Sequence, residues 1–139
     1  MLKRVRIERV RRLARAVRLG AVVLVLAGCQ TPFLVFPGGA LKGSETVTES
    51  FAFARDARLL VLEVRPDDPY SVILRAVVIE DQLYIDAGKR RWHEYMVDNP
   101  DVRIEISGSV YPARAVATDD PAIVERFRSG RTVYRMEPR

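Results

Sequence analysis

Residues Arg75 to Ile106 read RAVVIEDQLYIDAGKRRWHEYMVDNPDVRIEI, and the order of elements in this stretch decides the fold. It opens in the second half of a long strand, Ser71 to Ile79. Glu80-Asp81 then fits a two-residue hairpin into a further strand, Gln82 to Asp86. Trp92, Tyr95 and Met96 recur at i, i+3 and i+4, which predicts a short amphipathic helix over Lys89 to Asp98. Asn99-Pro100 stops it, because the residue before a proline is pushed out of the helical region. Val102, Ile104 and Ile106 alternate with Arg103, Glu105 and Ser107, the cleanest half-buried strand in the chain.

The join between strand and helix carries the chemistry. A helix start presents unpaired N–H groups and a positive dipole end, so a merely solvated first turn favours acidic residues. Here the sequence is Gly88-Lys89-Arg90-Arg91, with only Glu94 following. Three cations at such a position point to an anion partner. Each charge-assisted bond to a phosphate contributes about 1.5–3 kcal/mol. Arg65 and Arg75, on neighbouring strands, either face the same anion or pair with Glu63 and Asp86; pairing is the preferred reading for Arg65. Trp92 is expected as a core anchor and the sole histidine, His93, as a surface residue. No His/Cys/Asp cluster has metal-ligand spacing, and neither a serine nucleophile elbow nor a glycine-rich nucleotide loop occurs. Hydrolytic and metal chemistry therefore lack candidates, and no catalytic residue is assigned.

Outward from this stretch, Leu59 to Arg65 alternates weakly, with Leu60, Leu62 and Val64 on one side, as suits a strand in a closed sheet. Glu49, Phe51 and Phe53 share one parity and predict a strand ahead of it. Pro66-Asp67-Asp68-Pro69 is a turn. Downstream, Gly108-Ser109 matches a two-residue hairpin returning along Val110 to Thr118. Asp120 as N-cap and Pro121 at the first helical position open a second helix, which buries Ile123 and Phe127 and closes at Gly130. Thr132 to Met136 is a last strand. Six or seven mostly antiparallel strands with two short helices predict a mainly β chain, an antiparallel barrel without exposed edges.

The charge is unevenly spread. Eight of the 23 basic residues and one of the 18 acidic ones lie in residues 1–28, leaving 15 basic against 17 acidic in Cys29 to Arg139. The basic excess belongs to the amino terminus, so nucleic acid is not an expected partner. There, an Arg-rich segment precedes the apolar run LGAVVLVL, Leu19 to Leu26, in the order of a secretory signal. The run is too short to span a bilayer, which takes roughly 20 apolar residues. Leu26-Ala27-Gly28-Cys29 resembles a bacterial lipobox, which implies cleavage before Cys29 and acylation of its thiol. Acyl chains would anchor the chain stably to a membrane. As the sole cysteine, Cys29 leaves no intrachain disulfide. The expected organisation is a signal peptide over 1–28, a lipidated cysteine and Pro/Gly-rich tether over 29–45, and a barrel over 46–139. The expected location is the bacterial cell envelope facing the periplasm, and Gln30 resembles the residue of lipoproteins sorted to the outer membrane.

Taken together, Arg75 on a strand, Leu83-Tyr84-Ile85-Asp86, Gly88-Lys89-Arg90-Arg91, Trp92-His93 and Asn99-Pro100-Asp101-Val102 resemble the FMN-binding split β-barrel of the pyridoxamine 5′-phosphate oxidase superfamily. The deazaflavin-dependent nitroreductase-like branch is similar too. The resemblance runs from about Glu49 to Phe127. It implies an antiparallel split β-barrel and a phosphate cradle of Arg75, Arg90 and Arg91, with Lys89 beside them. It also implies that Tyr84 borders a flavin ring, that FMN or a deazaflavin is the cofactor, and that the assembly is a homodimer. Glu80 stands where the family has a second basic residue, and the carboxy-terminal segment is short. These departures favour a cofactor-free binding or structural module; the alternative is a flavin- or deazaflavin-dependent oxidoreductase of the envelope.

Overall fold

The computed structural model describes Pro32 and residues 37–139; the signal-peptide, lipobox and Cys29 expectations lie outside the described residues. Eight strands form one sheet: β1 (Ser44–Glu45), β2 (Leu59–Val64), β3 (Tyr70–Arg75), β4 (Val77–Ile79), β5 (Gln82–Ala87), β6 (Asp101–Ile106), β7 (Ser109–Thr118) and β8 (Thr132–Pro138). Two helices, α1 (Arg91–Asp98) and α2 (Pro121–Val124), and a 3-10 turn over Ala52–Asp56 complete it.

The strands run in the order β3-β2-β6-β7-β8-β5-β4, every neighbouring pair antiparallel. The two ends of this order, β3 and β4, are successive parts of the one strand expected over Ser71 to Ile79. At Ala76 that strand changes partner: Arg75 still pairs with Leu59 on β2, whereas Val77 pairs with Tyr84 on β5. One strand thus closes the sheet on itself, and the expected mainly β, antiparallel split barrel with two short helices is the fold observed.

Alternation puts Leu60, Leu62 and Val64, Leu83 and Ile85, Val102, Ile104 and Ile106, and Met136 into one interior. Trp92 and Met96 of α1, with Phe51 and Ala54 of the 3-10 turn, pack into the same core, so Trp92 is the anchor expected. Phe51 and Phe53, read as strand, lie at the 3-10 turn: Phe51 is buried and Phe53 half exposed, and the run AFARD has no β-branched residue to favour a pleat. The β6–β7 hairpin turns at Ser107-Gly108, one residue earlier than the sequence suggests. Both carry positive φ (53° and 85°), the backbone of a two-residue hairpin turn.

The segment ahead of the barrel enters the sheet from Gly38 onward. Gly38 exchanges two 2.9 Å backbone bonds with Ser71 on β3, and β1 pairs in parallel with the start of β7. Gly43 lies so close to the β6–β7 turn that a Cβ would stand 2.7 Å from the Gly108 carbonyl oxygen. Leu41 is buried, and its N–H donates to the carboxylate of Glu63, only 2% exposed on the outer face of β2.

Candidate anion-binding site

Along β5, Leu83, Ile85 and Ala87 face the barrel interior, which turns Tyr84 and Asp86 to the outer face. That face carries a smaller apolar cluster of Ile79, Tyr84, Ile123 and Val133, edged by Val77, Val124 and Phe127. The second helix sits on it for local reasons. Asp120 accepts a 3.0 Å bond from the Ala122 N–H, Pro121 presets the first turn, and Ile123 is the buried residue. One turn later Phe127 packs on the cluster, with Arg126 and Arg128 on either side of it in sequence. Gly130 adopts φ +76°, a conformation that favours glycine, and leads Arg131 into β8 beside β5.

Arg131 lies across Asp86. Its Nε donates to Oδ2 at 2.7 Å and one terminal nitrogen donates to the Asp86 carbonyl at 3.1 Å. The other terminal nitrogen lies against Gly88, where a Cβ would come within 2.8 Å. Together Arg75, Asp86, Arg126, Phe127, Arg128 and Arg131 line a cavity of about 430 Å³. Four arginines and one aspartate thus share its lining, and of the four only Arg131 is paired with Asp86. Arg75, Arg126 and Arg128 are exposed and make no ion pair within 4 Å among the described residues.

Of the residues named from sequence, Arg75 lines this cavity. Tyr84 is buried in the apolar cluster of that face, 6% exposed, and is not among the residues lining the cavity. Lys89, Arg90 and Arg91 are exposed and lie outside the lining, starting one residue beyond Gly88. The helix begins at Arg91, with Arg90 as an N-cap that makes no side-chain cap bond. Arg126, Arg128 and Arg131 were not anticipated; the run RFRSGR, three arginines in six residues around Gly130 after a capped helix, is the signal that marks them.

Arg65 pairs with Asp68 at 2.8 Å and stacks over the Tyr95 ring at 3.9 Å, not with Glu63. Glu63 is held by Arg103 at 3.1 Å. His93, expected at the surface, is half-buried and bonded on both sides: Nδ1 to the Gly88 carbonyl at 3.1 Å and Nε2 to the Tyr134 hydroxyl at 2.7 Å. A carbonyl only accepts, so Nδ1 carries the hydrogen and, in the neutral ring, Nε2 accepts from Tyr134. Burial raises the Tyr134 pKa above its ordinary 10.0. This relay ties the start of α1 to β8 and fixes Gly88, the residue on which Arg131 rests. Among the described residues, no group of three or more His, Cys, Asp or Glu could hold a metal ion. Nor is any described helix long and apolar enough to cross a membrane.

No protein-family model and no curated protein matches the chain. Solved structures do. A protein of Listeria innocua, provisionally assigned as a pyridoxamine 5′-phosphate oxidase, superposes with TM-score 0.52 at 20% identity, over 63% of this chain and 88% of its own. An FAD-binding protein of Mesorhizobium loti gives 0.46 at 18%, over 58% and 78%. A NimC/NimA family protein of Clostridium acetobutylicum gives 0.48 at 16%, over 62% and 78%. At these identities the likeness is one of fold: the chain has the split-barrel fold of pyridoxamine 5′-phosphate oxidase-like proteins.

Proposed function

We propose that this chain is an envelope-anchored split-barrel module whose basic cavity binds a phosphoryl group. The observation that supports the reading is the gathering of Arg75, Arg126, Arg128 and Arg131 around one cavity, with Asp86 as the sole acidic lining residue. Four guanidiniums gathered with a single carboxylate repel one another, and a phosphate offers their planar forks bidentate oxygens. Anchoring through Cys29 rests on the sequence order of Arg-rich segment, apolar run and lipobox. Cys29→Ser is expected to move the protein from the membrane to the soluble fraction, and unchanged membrane association would contradict the anchor.

A second reading, a flavin- or deazaflavin-dependent oxidoreductase working as a homodimer, draws on the shared fold and on Phe127, the aromatic side chain in the lining. The cavity residues fit the phosphoryl end of FMN, which Arg75, Arg126, Arg128 and Arg131 would hold while Phe127 bordered the ring. A bound flavin supplies the redox chemistry; the chain's own residues bind and orient it.

Titration of the purified protein with inorganic phosphate, FMN and riboflavin separates the outcomes. The first reading predicts that both phosphate-bearing ligands bind and that riboflavin, which has no phosphate, does not. Loss of Arg126 or Arg128 is expected to weaken binding about tenfold or more. Equal binding of FMN and riboflavin, or of none of the three, would contradict it. Binding of FMN far tighter than inorganic phosphate, with a shift of its visible absorption that reports ring contact, favours the second reading.

A further inference from the structure

Exposed basic residues, Lys89, Arg90 and Arg91, continue in sequence from Gly88, which Arg131 of the cavity touches. With Arg75, Arg126, Arg128 and Arg131 they make seven of the 15 basic residues of Cys29–Arg139, a region that is otherwise acidic. Among the described residues only Arg131 of these seven has an ion pair, with Asp86. Glu94, three residues after Arg91, and Glu125, next to Arg126, are exposed and form none among the described residues.

One compact ligand in the cavity leaves Lys89, Arg90 and Arg91 unmatched, because none of them lines it. An array of phosphates matches both groups. The sequence brings such an array within reach. Cys29 precedes Gly38 by eight intervening residues, a span of roughly 30 Å when fully extended. Gly38 is bonded to Ser71, and Arg75 lies four residues along the same strand, roughly 13 Å away.

We infer that this cationic face docks on anionic phospholipid headgroups of the membrane that carries the chain. The cavity takes one headgroup phosphate, and Lys89, Arg90 and Arg91 meet its neighbours. The inference rests on the phosphoryl-binding reading above and on attachment through Cys29. It makes the tethered domain oriented, its basic face toward the bilayer, with each cation near an anionic surface strengthening contact about fivefold.

Trp92, the sole tryptophan, follows Arg91 in α1 and serves as an energy-transfer donor to a dansyl-labelled headgroup. The mature chain, beginning at acylated Cys29, is reconstituted into phosphatidylcholine vesicles and into vesicles that also carry phosphatidylglycerol. Transfer is expected to be higher with phosphatidylglycerol. It is expected to fall to the phosphatidylcholine value between ~0.1 M and ~1 M salt, as the screening length shrinks from ~10 Å to ~3 Å. Arg126→Gln with Arg128→Gln, and separately Lys89→Gln with Arg90→Gln, is expected to lower transfer in the charged vesicles alone. Equal transfer in both lipids at low salt overturns the inference. Glycerol 3-phosphate titrated into the phosphatidylcholine samples separates the two levels. Saturable binding there without any lipid-charge effect removes bilayer docking and leaves the phosphoryl site; no binding there removes both.

Discussion

Arg131 is clamped on Asp86 by two hydrogen bonds, 2.7 Å to Oδ2 and 3.1 Å to the main-chain oxygen, and this clamp forms one wall of the basic cavity. Both side chains are partly exposed, so the pair contributes no more than about 1 kcal/mol to stability. Its electrostatic consequence is larger. Asp86→Asn removes the one negative charge among the lining residues and leaves Arg131 its bond to the carbonyl. Arg131→Gln removes a cation. The two variants are expected to melt within a few degrees of each other yet diverge in phosphate affinity, Asp86→Asn tighter than wild type and Arg131→Gln weaker. Parallel changes in affinity would show that Asp86 serves only to position Arg131.

Burial of the Tyr134 hydroxyl gives the fold an alkaline dependence. Burial holds the Tyr134 pKa above 10.0 in the folded state, so above that value the unfolded chain ionises while the native hydroxyl keeps its proton. The unfolded state then binds fewer protons, and stability falls with rising pH. Full stability from this group is present below pH 10.0 and is lost as pH climbs from there to the folded pKa. Urea unfolding at successive pH values is expected to show a steeper alkaline decline for wild type than for Tyr134→Phe. Tyr134→Phe should also lose about 1 kcal/mol near neutrality, because His93 Nε2 loses its donor.

Glu63 is a charge buried at 2% exposure and kept there by Arg103 and the Leu41 N–H. Removing one partner of such a pair costs more than the pair itself contributes. Arg103→Met is expected to destabilise the protein by about 3 kcal/mol. Adding Glu63→Gln to that variant should recover part of the loss, since the amide oxygen still accepts from Leu41 without carrying charge. A double variant less stable than Arg103→Met alone would show that this carboxylate is tolerated without its cation.

Much of the fold was legible because its strands obey a strict period. Val102, Ile104 and Ile106 alternate without exception, and the Asp120-Pro121 pair fixes the start of α2 by side-chain chemistry alone. The partner switch at Ala76 was not legible, because a strand that changes neighbours keeps its own periodicity. Phe51 and Phe53 mimicked a strand because a 3-10 turn can also place alternate residues differently over so short a span. At the site, Arg75 could be named from its strand. Arg126, Arg128 and Arg131 could not, since what brings them to Asp86 is the pairing of β8 with β5, a contact 45 residues apart in sequence. His93 reads as a surface residue from sequence for the same reason: its partner Tyr134 is 41 residues away.

Whether the arginine-lined cavity takes a phosphoryl group is tested most directly by amide shifts of isotope-labelled protein during a phosphate titration. Saturable shifts are expected at Arg75, at Asp86 to Gly88 and at Arg126 to Arg131, while the barrel interior stays unmoved. An absence of saturable change at those residues, or saturable change only elsewhere, would contradict phosphoryl binding in this cavity.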